Sequence, residues 1–332
     1  MKKLNLRQLL ALCAAFALTL SLAACSNGGK DKADEYNVAI IKLMDHASLD
    51  EIANAVAARL DEIAEENGVT IHYTITSGQG DQTVLRQLSD QAIADKVDAI
   101  IPIATPAAKM AVLSAEATKT PVIFSAVSYP TDVGLDGIDY ASGISDALNT
   151  ELILDMMLAQ NPNVKNVGLL YSLSEENSAT PIAEAKAYLD AKGIAYTEQT
   201  ANTNDEVIAA ASALTAAGVD AIFTPTDNII MSAELAIAPN LIEAGIPHYT
   251  GADSFVRNGA FATCGVNYTQ LGRDSADLAY QAITGGMDSM EDYYLAGGGI
   301  ITVNTETAEA MGIDYSVFAG MGELVEVITS ED

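Results

Sequence analysis

The sequence contains no tryptophan, only three cysteines and three histidines, and 16 basic residues against 45 acidic ones. Each scarcity excludes something. A formal net charge of −29 argues against nucleic acid or an anionic surface as partner, because like charges repel. It describes a strongly solvated exterior and names no substrate. So few histidines and cysteines leave no visible metal-ligand set, and no cofactor motif is present. The run Gly297-Gly298-Gly299 is not a phosphate loop, since it precedes a strand-like segment and lacks the following Lys and Ser/Thr. Nor is there a nucleophile elbow, a His-Glu-x-x-His or a Cys-His pairing. An extracellular enzyme is therefore the weaker reading. Without tryptophan, any ring-stacking wall must use Tyr or Phe.

The cysteines divide by position. Lys2, Lys3 and Arg7 precede an apolar run from Leu9 to Leu22, which ends in Leu22-Ala23-Ala24-Cys25. That is a secretory signal closing on small residues, and the run is short for a membrane span of roughly 20 apolar residues. A Cys directly after the small pair matches the bacterial lipobox. Residues 1–24 then form the signal peptide, and Cys25 becomes the lipidated N-terminus. Residues 25–35, polar and glycine-containing, form a flexible tether. The competing reading is a plain secretory signal with an incidental Cys. The lipobox reading predicts an extracytoplasmic protein that meets the bacterial membrane through its lipid only. Cys264 then stands alone in an apolar stretch, so the mature chain has no internal disulfide, and this thiol reads as a core residue.

One supersecondary unit is written twice. Asn37-Val38-Ala39-Ile40-Ile41-Lys42-Leu43 returns as Asn166-Val167-Gly168-Leu169-Leu170-Tyr171-Ser172, each an apolar run typical of a strand buried on both faces. Each leads through a polar loop into a helix. The spacing predicts the first helix from Ser48, with Glu51 completing a capping box, to Asn67-Gly68. It predicts the second from Thr180-Pro181 to Lys192-Gly193. Val97-Asp98-Ala99-Ile100-Ile101 returns as Val219-Asp220-Ala221-Ile222-Phe223, and Thr120 to Ala126 returns as Ile246 to Ala252.

Alternating strand and helix, twice over, predicts an α/β chain of two doubly wound parallel-sheet lobes. Lobe I covers 36–145 with a helix near 269–284. Lobe II covers 146–268 with the C-terminal segment near 287–332. Candidate crossings lie near Gly143 and Ser145 and at Gly265-Val266-Asn267. Right-handed crossovers put all strand C-termini on one edge, where ligands of open sheets bind. Two such edges facing each other make a cleft.

The loops occur in a recognisable order: Asp45-His46-Ala47-Ser48-Leu49-Asp50, Gln79-Gly80-Asp81, Ile103 to Ala108, Phe124-Ser125-Ala126-Val127, Tyr171 to Ser178, Pro225-Thr226-Asp227-Asn228 and Gly251-Ala252-Asp253-Ser254. Together they resemble the ABC transporter substrate-binding lipoprotein family that includes tryptophan, tyrosine and phenylalanine binding proteins. The resemblance spans about Tyr36 to Gly286. It implies a type I periplasmic-binding-protein fold with a multi-strand hinge, and capture of a small molecule, often an aromatic amino acid, for an ABC permease. The chain departs from the family pattern at Asp45, at Ala47 and at Ser128-Tyr129-Pro130, beside the expected cleft, so ligand identity stays open.

For a zwitterionic ligand, helix N-termini and the hydroxyls of Ser48, Thr105 and Ser178 offer donors to the carboxylate. Asp227 and Asp253 are the expected ammonium partners, with Glu175 third. Leu49, Ala126, Val127, Tyr129 and Phe255 are expected to supply an apolar slot. Ser125, Asn177, Thr226 and Asn228 complete the candidate contacts. Ser48, Thr105 and Thr180 read equally well as helix caps, Asp227 as a turn residue, and His46 as a loop residue. The chain is expected to act as a monomer that captures its ligand by hinge closure. A ligand-sensing co-receptor fits the same residues.

Overall fold

The computed structural model describes residues 34–330. The signal peptide, Cys25 and the tether up to Ala33 lie outside the described residues. Among those described, no helix is long and apolar enough to cross a membrane.

The two halves of the repeat build two sheets with the same internal order. In the first half the elements are β1 (Glu35–Lys42), α1 (Ala47–Asn67), β2 (Thr70–Ser77), α2 (Gln82–Ala94), β3 (Ala99–Ile103), α3 (Thr105–Ala115), β4 (Val122–Ser125) and β5 (Ala141–Ser145). The second half has α4 (Thr150–Gln160), β6 (Asn166–Tyr171), α5 (Ala179–Lys192), β7 (Ala195–Thr200), α6 (Asn204–Ala217), β8 (Ala221–Thr224), α7 (Asn228–Ser232), α8 (Glu234–Ala244), β9 (His248–Thr250), α9 (Asp253–Arg257) and β10 (Ala262–Gly265). Then follow α10 (Tyr268–Gly285), β11 (Tyr294–Leu295), β12 (Ile300–Asn304), α11 (Thr305–Met311) and β13 (Glu323–Val327). The first sheet runs β11-β5-β4-β3-β1-β2, and the second runs β13-β12-β10-β9-β8-β6-β7. Thus β1 to β5 and β6 to β10 occupy matching places. Every pairing is parallel except β10 with β12. Strands β3, β4 and β5 are buried along their whole length, because helices cover both faces of a parallel sheet.

Three crossings join the lobes among the described residues: after β5, after β10, and between β11 and β12. The glycine run 297–299 lies in the third. Helix α10 returns to the first lobe and lies against α1. Gly272 permits the approach, since a Cβ there would stand 2.6 Å from the carbonyl oxygen of Ile52. One expectation fails at this point. The segment near 287–332 is expected wholly in lobe II, yet Tyr294–Leu295 pairs with β5 in the first sheet. Two residues are too few to show an alternating pattern.

The helix starts also differ from the sequence reading. Helix α1 begins at Ala47, and its N-cap residue His46 makes no side-chain cap bond. Ser48 sits inside the first turn rather than capping it. Helix α5 begins at Ala179, and the Thr180 hydroxyl donates to Asp132 Oδ2 at 2.7 Å. Both polar side chains find partners across the cleft or at its mouth instead of on their own helix.

Candidate ligand-binding site

The strand-end loops converge between the lobes. From lobe I come His46, Ser48 and Leu49 after β1, Ala104 and Thr105 after β3, Ala126 and Ser128 after β4, and Asp146 after β5; Tyr268 at the start of α10 closes that side. From lobe II come Asn177 after β6, Thr226, Asp227, Asn228 and Met231 after β8, and Ala252 and Phe255 after β9. The hollow encloses about 370 Å³, its open mouth included, and is narrow. Its walls therefore stand close together.

Direct contacts hold the lobes in this closed arrangement. The Ser48 and Ser254 hydroxyls meet across the cleft. Ser128 Oγ lies 3.3 Å from Thr226 Oγ1, and His46 Nε2 lies 3.0 Å from Asn228 Oδ1. At the mouth, Lys109 Nζ donates to both oxygens of Glu176, at 2.8 and 2.7 Å.

The carboxylates divide into two kinds. Asp227 is fully engaged. Its Oδ1 accepts from the backbone N–H of Ile229 and Ile230, both at 3.1 Å, and caps α7. Its Oδ2 accepts from the Ser172 N–H and the Ser178 hydroxyl, both at 2.7 Å. Asp146 is not saturated. Each of its oxygens accepts one bond, from the Ser128 hydroxyl at 2.8 Å and from the Tyr268 hydroxyl at 3.1 Å, and a carboxylate has about four acceptor sites. Burial pushes the Asp146 carboxyl above its ordinary pKa, partly opposed by those two hydrogen bonds. Burial likewise raises Asp227, and burial together with the nearby Asp227 charge raises Glu175. No Lys or Arg lines the hollow. The field there favours a cation.

Two non-glycine residues of the lining carry positive φ, Ala104 at 77° and Ala126 at 54°. With ψ at 156°, Ala104 occupies a region that glycine normally fills, a local strain of about 1–3 kcal/mol. Its carbonyl still accepts from the Ala108 N–H, so α3 is entered in a sharp turn at the strand tip. Neither α1 nor α3 has a side-chain cap; the first turns of both lie at the hollow.

Of the thirteen candidate contacts, Ser48, Leu49, Thr105, Ala126, Asn177, Thr226, Asp227 and Asn228 line the hollow. Five do not. Ser125 turns behind the strand tip to donate to Ser275 at 2.6 Å. Val127 is fully buried in the core. Ser178 serves Asp227. Glu175 lies behind Asn228, whose Nδ2 donates to it at 2.7 Å. Asp253 pairs with Arg257 and borders a separate hollow near the hinge. His46, Ser128, Asp146, Met231 and Tyr268 line the site without having been singled out as contacts. Asp146 follows a strand directly, as the other loops do, and that rule alone would have found it.

Two facing α/β lobes enclosing a small polar hollow at their strand tips define a two-lobed ligand-binding protein. The family model for ABC transporter substrate binding protein matches residues 37–317, and the chain belongs to that family: it is an ABC transporter substrate-binding protein, not an enzyme, and acts on the extracytoplasmic side. A tyrosine-binding protein of Clostridioides difficile (strain R20291) is 29% identical over 271 residues, covering 80% of this chain and 77% of that protein. An ABC domain from Streptococcus pneumoniae in complex with L-Trp is 27% identical, with TM-score 0.78, covering 88% of this chain and all of that one. The ligand-free, open structure of a substrate-binding protein with adhesive properties from Clostridium difficile is 26% identical, with TM-score 0.67, covering 89% of this chain and all of that one. The better superposition on the ligand-bound relative agrees with the closed lobes seen here.

Proposed function

We propose that this chain is a lipid-anchored receptor of an ABC importer and that its cleft captures an aromatic L-amino acid, with the ammonium on Asp146. The observation that carries the reading is the buried Asp146 carboxylate, held by Ser128 and Tyr268 with acceptor capacity to spare in a hollow that no Lys or Arg lines. An ammonium supplies the missing charge, and a charged hydrogen bond of this kind contributes about 1.5–3 kcal/mol. The ligand carboxylate falls to the uncapped first turn of α3, with the Thr105 hydroxyl, where free N–H groups and the helix dipole favour an anion. Leu49, Ala126, Met231 and Phe255 provide apolar walls for the side chain. Asn177, Thr226 and Asn228 are the lobe II contacts that join only on closure. Glu175, Ser178 and Asp227 act as the scaffold behind them. Both walls come from one chain, so a monomer suffices. The identities of the tyrosine- and tryptophan-binding relatives support the ligand class.

A thermal-shift screen of L-amino acids, nucleosides and sugars tests this, since a bound ligand raises apparent stability by mass action. Tyrosine, tryptophan or phenylalanine should raise the melting temperature. A shift produced by sugars or nucleosides alone would refute the assignment. For the anchor, Cys25→Ala should abolish labelling by palmitate and release the protein from the membrane fraction; unchanged labelling would refute it.

A further inference from the structure

His46, Asn228 and Glu175 form a chain of hydrogen bonds from one lobe into the other, and its direction can be read from the amide. Asn228 Nδ2 donates to Glu175 Oε2 at 2.7 Å, so Asn228 Oδ1 is the acceptor that faces His46 Nε2 at 3.0 Å. The ring must then carry its proton on Nε2. Burial holds His46 below its ordinary pKa, so the ring is neutral and Nδ1 keeps a lone pair. That nitrogen is buried and has no partner, in a residue that lines the hollow. An unpaired buried acceptor is costly, and a ligand donor would recover that cost.

The strand order fixes where this acceptor lies. Asp146 follows β5 and His46 follows β1, and β4 and β3 stand between them. At about 4.8 Å per strand these tips are about 14 Å apart. One ammonium cannot serve both. The apolar lining residues Ala126 and Ala104, after β4 and β3, occupy the span between.

We propose that His46 Nδ1 accepts a hydrogen bond from a neutral N–H or O–H at the far end of the ligand side chain, so that the cleft selects a phenol or an indole over a plain phenyl ring. This rests on the amino-acid reading above. Closure completes the reader, because only Asn228 of the opposite lobe sets the tautomer of His46.

Calorimetric titration with L-tyrosine, L-tryptophan, L-phenylalanine and O-methyl-L-tyrosine tests it. The wild-type protein should bind tyrosine or tryptophan at least about tenfold more tightly than phenylalanine, and tyrosine more tightly than its methyl ether. His46→Leu should remove the preference, the affinities for tyrosine and tryptophan falling at least about fivefold more than that for phenylalanine. His46→Asn, which keeps an acceptor near the Nδ1 position, should retain part of it. Equal affinities in the wild type, or an equal loss for all ligands in His46→Leu, would overturn the proposal and leave the amino-acid reading standing. Absence of binding by any of them would overturn both. Nitrogen-15 spectra of the wild-type ring provide a readout independent of variant folding: the Nε2–H tautomer is expected, and an Nδ1–H tautomer would overturn the assignment.

Discussion

Tyr268 donates its hydroxyl to Asp146 Oδ2 at 3.1 Å, although 122 positions separate them in sequence. Asp146 opens the first crossing between lobes, and Tyr268 follows the second. The bond therefore ties two hinge segments together and aims a carboxylate into the cleft. Asp146→Asn should weaken amino-acid binding by roughly tenfold or more, the worth of one charged hydrogen bond. The same change should raise the melting temperature of the ligand-free protein, because burial disfavours the ionised carboxyl and a neutral amide avoids that cost. Calorimetry and thermal denaturation measure the two opposite effects.

Asp227 has a different expected signature. It caps α7 and binds both the Ser172 N–H and the Ser178 hydroxyl. Asp227→Ala leaves those donors buried and unpaired, at a cost of about 1–3 kcal/mol for each donor left without water. The variant should lose stability first, seen as a melting temperature lower by several degrees, with weaker binding as a consequence of a displaced 224–228 loop. Normal stability with lost binding would instead make Asp227 a direct ligand contact.

Glu175 predicts a pH slope. Burial and the Asp227 charge push its carboxyl up to about 8 from an ordinary 4.5. Between those values the unfolded chain has lost the proton while the folded chain keeps it. Stability therefore falls as pH rises through that window, because the native state binds more protons. Glu175→Gln should flatten the slope of melting temperature against pH from about 4.5 to about 8. An unchanged slope would mean that other groups govern it.

Much of the fold was legible because the repeat is written in apolar runs. Residues 37–43 and 166–172 announce central strands, and both β1 and β6 sit between matching neighbours. Local capping follows residue type at Asp81, which accepts from the Thr83 and Val84 N–H groups at the start of α2. The edges were not legible. Strand β11 has two residues, and the antiparallel β12 is set by tertiary pairing with β10. Site residues were found where a hydroxyl or amide lies on a strand-end loop. They were misjudged where a role depends on a distant partner. Ser48 meets Ser254, 206 positions away, and His46 meets Asn228, 182 away, distances at which local capping rules carry no information.

The contact between Ser48 and Ser254 also gives the most direct test of the central claim, that the guest enters and leaves only by separation of the lobes. The described chain has one cysteine, Cys264, which is buried and free, with its thiol pushed up to about 11 and thus unreactive. A Ser48→Cys, Ser254→Cys double variant should form a disulfide across the cleft on oxidation. The measurement is the rate of tyrosine or tryptophan uptake in the oxidised and reduced protein. Blocked uptake when oxidised and full recovery on reduction are predicted; uptake at the same rate in both forms would contradict the account.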